Sequence, residues 1–197
     1  MGNDKRFIKD FKEYVNNLGV KSVLEVGAQT GELMEAVGGT GIDLEPSRSD
    51  VKKCDIRQYH GKKCELVFSS GLIEYYNEDE AIEVLQAMAK ASNKYVLTYV
   101  PNTNCEAYMD TKKNHSQHWP QSWREEDDYT PERLAKLHEK AGLVVIEQGE
   151  TAVEWARLFN KTLPTGGGYL AWVLAKLPEK KPNAETKKDS KKTTAKK

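Results

Sequence analysis

Nine residues, Val23-Leu24-Glu25-Val26-Gly27-Ala28-Gln29-Thr30-Gly31, constrain this chain more than any other stretch. Val23 to Val26 is the short apolar run expected of a strand covered on both faces of a parallel sheet. Gly27 and Gly31 bracket a turn in which a side chain would keep a ligand from the backbone. A helix is expected from about Glu32, turning Leu33, Met34 and Val37 onto the sheet. The chain then returns through Gly41-Ile42-Asp43-Leu44, a second strand with an acid at its carboxyl end. Strand, glycine turn, helix and strand in this order belong to an open α/β sheet, whose ligands sit at the carboxyl ends of the strands. There the Asp43 carboxylate can accept two hydrogen bonds from a ribose diol.

The ligand is narrowed by what the turn lacks. A nicotinamide site calls for G-x-G-x-x-G with pyrophosphate on the helix N-terminus, whereas this turn reads G-x-x-x-G and runs into Glu32. No phosphate-binding P-loop is present either. Glu25, just before the turn, repels a polyanion but suits a ligand carrying an ammonium and a sulfonium. S-adenosylmethionine is such a ligand.

Glu25-x-Gly27-x-x-x-Gly31 resembles motif I of the class I S-adenosylmethionine-dependent methyltransferases, [D/E]-x-G-x-G-x-G, with Gln29 in place of the middle glycine. The resemblance extends over residues 20–176. It implies an α/β fold: a Rossmann-like, doubly wound, mostly parallel sheet of about seven strands with the last hairpin strand antiparallel. It also implies a cofactor site of Glu25, Gly27, Ala28, Gln29 and Gly31 in the turn. Asp43 would bind the ribose, Leu44 would lie beside the adenine, and Asp55 and Ile56 of Cys54-Asp55-Ile56 would stand at the adenine amino group. Ser69 and Ser70, within Leu66 to Tyr75, match the end of the fourth strand, at the methionine end of the cofactor; Tyr75 stands where the family often has His. Tyr129 to Leu134 and Ala141-Gly142-Leu143 match the late helix and the strand after it. The Asp/Asn-Pro-Pro-Tyr motif used on exocyclic amines is missing after strand four, as is a Pro-Cys nucleophile, which disfavours DNA base methylation.

Between Asp43 and Asp55 the chain is too short for a crossover helix, so a loop is expected, with a more open adenine edge. Asn77 with Glu80 predicts a capped helix that turns Ile82, Leu85, Met88 and Ala89 to the sheet, followed by a strand from Tyr95 to Val100. Thr130-Pro131 starts another helix, Gly142 stops it, and strands are expected over Leu143 to Glu147 and Gly168 to Ala175. Trp155, Leu158 and Phe159 suggest a helical segment between them. Pro101 to Asp128 reads as a long irregular connection, the kind that forms a lid or binding loop, and substrate selection is assigned to it. It contains His115-x-x-His118, the candidate general base; surface or lid histidines that merely hydrogen-bond are the alternative. No metal is expected, because no third ligand follows at a recognisable spacing.

Length and charge divide the chain. Glu179 to Lys197 carries eight lysines against three acids in a chain of zero formal charge, which leaves residues 1 to 178 at net −5. Residues 1–178 are read as the methyltransferase domain and 179–197 as a disordered Lys-rich tail. The tail has no aromatic residue for stacking on bases, so a solvated terminus is favoured over a nucleic-acid tether. Phe7, Ile8, Phe11, Tyr14, Val15 and Leu18 recur at helical spacing among charges, an amphipathic helix rather than a signal peptide. Three cysteines without a C-x-x-C pair suggest neither a disulfide framework nor zinc. With no apolar run long enough for a bilayer, the expected location is the cytoplasm, with no membrane partner.

The expected function is methyl transfer from S-adenosylmethionine to a small molecule or to a residue on a larger partner. A methyltransferase-like binding subunit without activity is the alternative, and an NAD-dependent oxidoreductase, which would want a Tyr-x-x-x-Lys pair, comes after it. Removing Pro182 to Lys197 is expected to leave the melting temperature and the affinity for S-adenosylhomocysteine unchanged, as differential scanning fluorimetry and calorimetry would read.

Overall fold

The structure, a computed structural model, describes residues 4–159 and 166–179. The Lys-rich tail therefore lies outside the described residues, apart from Glu179. Seven strands form one sheet: β1 Val23–Val26, β2 Thr40–Asp43, β3 Val51–Lys53, β4 Cys64–Ser70, β5 Ser92–Pro101, β6 Val144–Thr151 and β7 Leu170–Lys176. Their order is β3-β2-β1-β4-β5-β7-β6. The first five pair in parallel, and β7 runs antiparallel between β5 and β6. The chain thus moves outward from β1 to β3 and then returns to β4 on the other side of β1. That reversal is the switch point at which open α/β sheets bind ligands.

Helices cover both faces. Period-two alternation sends Leu24, Val26, Val67, Val96 and Val173 into one core, under α3 Glu78–Ala91 and α6 Pro131–Lys140. Val23, Leu66, Phe68, Leu97 and Tyr99 point the other way, against Phe7, Phe11 and Val15 of α1 Lys5–Asn17 and Leu33 of α2 Glu32–Ala36. Asp4 caps α1 through its side chain, and α3 has the expected capping box between Asn77 and Glu80. The packed stripe of α3 is Ala81, Val84, Leu85 and Met88, so Ile82 and Ala89 lie at its margins rather than at its centre. Residues 44–50 form the expected loop between β2 and β3.

The stretch from Pro101 to Asp128 differs from its expectation. Rather than an irregular connection, it contains α4 Glu106–Asn114 and α5 Gln121–Arg124. The helix α4 buries Ala107 and Tyr108 beside Cys105, and Ala156 of α7 Val153–Ala156 closes the same small cluster. One large ring among small residues leaves no apolar stripe at helical period, which is why the sequence does not announce it. Asn102, fully buried, fastens this region to the sheet: its backbone N–H donates to the Tyr169 carbonyl (2.8 Å) and its side-chain amide to the Gly168 carbonyl (2.9 Å).

No helix among the described residues is long and apolar enough to cross a membrane. One buried group makes the core sensitive to pH. His138 of α6 is fully buried, within 3.1 Å of Thr98 Oγ1 and 2.9 Å of the Leu134 carbonyl, and burial pushes its pKa down to about 4. The unfolded chain takes up this proton near pH 6.5 and the folded one only near pH 4, so His138 withdraws stability as pH falls through that window. The stability gap between the wild type and His138→Leu should narrow by about 2–3 kcal/mol from pH 7.5 to pH 4.5, measured by urea unfolding.

Candidate functional site

The glycine turn is held from three sides. Gly27 and Gly31 both adopt left-handed φ, +76° and +66°, open to glycine at little cost. The N–H groups of Gly27 and Ala28 both donate to the Ile42 carbonyl of β2 (2.9 and 3.1 Å). Gly41 lies behind them, and a Cβ there would come within 2.7 Å of Ala28 Cβ and Met34 Sδ. Finally, the Glu25 carboxylate accepts the Met34 N–H of α2 (2.8 Å), tying the strand before the turn to the helix after it.

Asp43 closes the same structure at the end of β2. One of its oxygens accepts the Gln29 N–H (2.9 Å) and the other the Glu45 N–H (2.7 Å). A carboxylate has roughly four lone-pair sites, so capacity remains for a diol. Asp43, Leu44, Asp55 and Ile56 line a small hollow of about 70 Å³, with Gly27 and Leu72 at its inner end. Asp55 is more committed than the sequence suggests. It caps the short turn of Ile56–Gln58 and holds Arg57 in a forked ion pair, with Nη2 at 2.7 Å and Nε at 3.1 Å. That pair keeps its carboxyl below the usual range.

Past Gly27 the trough widens into a cavity of about 530 Å³. The turn residues Ala28, Gln29 and Thr30 border it, as do Glu25 and Ser70 at the ends of β1 and β4. Gly31 serves differently, as the residue that starts α2. Ser69 is fully buried and lines neither hollow, because alternation along β4 turns it to the opposite side from Ser70. Glu25 is 5% exposed, and burial raises its pKa to about 8, with Asp43 and Glu32 adding to the rise.

The far wall comes from α4, α5, α7 and the short 3-10 turn Ile73–Tyr75 after β4. Tyr108 stacks on Trp119, ring centroids 6.3 Å apart and planes 17° apart, and Trp119 meets Trp123 edge-on at 6.4 Å. Tyr169 packs between Tyr108 (5.3 Å) and Phe159 (4.8 Å). Trp119 and Trp123 therefore pack on one another and border the cavity at once. His115 and His118 also border it, but at its exposed mouth, with His115 Nε2 3.8 Å from Asp110. Among the described residues no group of His, Cys, Asp and Glu is placed to hold a metal ion.

No protein-family model matches the sequence, and no curated protein matches it. Solved structures do. Magnesium protoporphyrin IX methyltransferase from Synechocystis PCC 6803, with bound SAM, superposes with a TM-score of 0.58 at 11% identity, over 88% of this chain and 79% of that one. An S-adenosylmethionine-dependent methyltransferase from Clostridium acetobutylicum gives 0.62 at 12% identity, over 90% and 93%. A SAM-dependent methyltransferase from Archaeoglobus fulgidus gives 0.60 at 17% identity, over 89% and 95%. The chain shares their fold. On this methyltransferase fold the glycine turn, the Asp43 hollow and the wide cavity lie side by side at the carboxyl ends of β1, β2 and β4, the two hollows adjoining at Gly27.

Two residues of this trough escaped the sequence reading. Glu74, in the 3-10 turn after β4, is 2% exposed and lines the wide cavity; burial lifts its pKa to about 8, with Glu126 adding to the rise. Glu126 comes close because the Asp127 N–H donates to the Glu74 carbonyl (2.8 Å). Glu74 sits in a segment that could be recognised, but nothing in one sequence says that a carboxyl there is buried; Glu126 lies among four consecutive acids that read as a solvated run.

Asp43→Ala removes an acceptor shared by two backbone N–H groups as well as a candidate ligand contact. It should cost about 1–2 kcal/mol of stability in urea unfolding and about 1–3 kcal/mol of S-adenosylhomocysteine affinity by calorimetry.

Proposed function

We propose that the chain transfers the methyl group of S-adenosylmethionine to an acceptor seated in the wide cavity, either a small molecule or a residue displayed by a larger partner. The observation that carries this reading is that the Asp43 hollow and the wide cavity beside the buried Glu25 adjoin at Gly27, which lines both, at the switch point of a methyltransferase-type sheet. The residues fit the cofactor. Asp43 would take the ribose diol, Leu44 and Ile56 the adenine faces, and Glu25 the positive charge of the methionine end. Asp55, already holding Arg57, would meet the adenine only with the acceptor capacity that remains.

When bound, the sulfonium supplies an electrophilic methyl and a good leaving group, so this chain's own residues need chiefly to align and to exclude water. Ser70 and the turn would position the methionine end, and the aromatic wall would shield the acceptor. His115 and His118, at the mouth, are candidates to contact the outer part of the acceptor or to relay a proton to solvent. Dinucleotide binding is less well supported: the helix after the turn has five residues and carries Glu32 and Glu35 in its first turn, a poor seat for pyrophosphate.

S-adenosylmethionine and S-adenosylhomocysteine should raise the melting temperature, and NAD should not. Stabilisation by NAD alone would overturn the reading. Glu25 holds its proton near neutral pH in the free protein, and a cation beside it favours the ionised form. Calorimetry of S-adenosylmethionine binding at pH 7, repeated in buffers of different ionisation enthalpy, should therefore show release of up to about one proton, lost in Glu25→Gln. Binding of S-adenosylmethionine with no turnover on any acceptor would instead point to the binding-subunit alternative.

A further inference from the structure

The wide cavity has an unusual balance of chemistry. Three carboxyls line it, Glu25, Glu74 and Glu126, while no lysine or arginine does so among the described residues. Glu25 belongs to the cofactor half of the trough. Glu74 and Glu126 lie in the other half, against the aromatic wall.

Glu74 is the anomaly. Its side chain is 2% exposed, and its Oε2 has no hydrogen-bond partner among the described residues. A buried carboxyl left short of partners costs stability, and one that lines a cavity can be completed by a ligand. The counter-charge near it is too weak to offset burial: Lys112 favours the ionised form of both Glu74 and Glu126, yet both stay raised. Glu126 approaches from the 125–129 segment and is itself hydrogen-bonded by the Tyr75 and Tyr108 hydroxyls, the latter at 3.3 Å. Tyr169 faces both acids from the loop before β7. Lys112 of α4 is already engaged: its Nζ donates to Asp128 (2.9 Å) and to the Glu126 carbonyl (3.0 Å), lies 5.9 Å from the Tyr108 ring centroid and does not line the cavity. Two facing acids beside stacked rings form a niche that attracts positive charge through both the carboxyls and the π faces.

We propose that the acceptor is a primary or secondary amine on a small flat apolar frame, with its nitrogen at Glu74 and Glu126 and its frame against Tyr108 and Trp119. This rests on the methyl-transfer reading and specifies its acceptor. The amine arrives as an ammonium, whose charge drives the Glu74 proton out to solvent, and it then gives one of its own protons to the Glu74 carboxylate so formed. Its freed lone pair forms the N–C bond to the methyl carbon as the C–S bond breaks, with that electron pair leaving on sulfur. The product nitrogen carries the positive charge the sulfonium has lost, and charge balances. A buried carboxyl whose proton affinity is raised towards that of an amine is suited to this exchange.

Three of the four tryptophans, Trp119, Trp123 and Trp155, line the cavity, so intrinsic fluorescence reports its occupancy without any turnover. Tryptamine would overlap this signal, so the probe is phenethylamine, with 2-phenylethanol and 3-phenylpropionate as its neutral and anionic counterparts. Each is titrated with and without saturating S-adenosylhomocysteine, and each is offered as acceptor with S-adenosylmethionine. Phenethylamine should bind at least tenfold more tightly than either counterpart and alone be methylated. Glu74→Gln and, separately, Glu126→Gln should each abolish most of that preference while leaving S-adenosylhomocysteine affinity unchanged. Equal binding of the alcohol, preference for the carboxylate, no binding of any probe, or an unaltered preference in both variants would overturn the proposal. S-adenosylhomocysteine failing to bind while the amine preference persists would overturn the methyl-transfer reading instead and leave an amine site.

Discussion

The pair of hydrogen bonds from the Gly27 and Ala28 N–H groups to the Ile42 carbonyl is the contact on which the site depends. It fuses the turn after β1 to the middle of β2, and every other anchor follows from that closeness. Gly41 has to lack a side chain because Ala28 and Met34 press against it. Asp43, two residues on, then lies within reach of Gln29, and Glu25 within reach of Met34. The Glu25 and Asp43 carboxylates thus hold the scaffold as well as facing the trough, which fixes their positions.

Electrostatics divides the molecule. In the hollow at the edge of the sheet, Asp55 is neutralised by Arg57 and stays ionised. Deeper in, Glu25 and Glu74 have no such partner, and burial lifts both to about 8. The folded protein therefore keeps protons on these groups that the unfolded chain releases above about pH 4.5. Their contribution weakens as pH rises towards 8, opposite in sign to that of His138, which weakens the fold as pH falls. Burying acids in this way costs the fold stability at neutral pH.

Much of this architecture could be read from the chain because it rests on short-range patterns. The β1 run, the left-handed glycines, the Asn77–Glu80 cap and the Thr130-Pro131 start are each settled within a few residues. Asp43 and Leu44 lie where strand polarity puts them. What could not be read depends on contacts between distant segments. Ser69 looks equivalent to Ser70 until alternation along β4 assigns it to the other face. Asp55 reads as a free acid until Arg57 folds back upon it. The helix α4 hides because its buried face is mostly small residues around Tyr108, and the pairing of Glu74 with Glu126 requires residues some fifty positions apart to meet through the Asp127 hydrogen bond.

The antiparallel strand β7 carries a consequence in time. Among the described residues it is the last strand yet lies inside the sheet, between β5 and β6, and β6 pairs with no other strand. A nascent chain that has completed β1 to β5 can already form the glycine turn and the hollow around Asp43. The aromatic wall has to wait, because Trp155 and Phe159 lie on the connection that leads to β7, and Tyr169 immediately precedes it. The half that would hold the cofactor can thus form before the half that would seat the acceptor. Any compound that grips both halves would report that the final strand has docked, and by mass action would favour the finished chain over its partly assembled precursors.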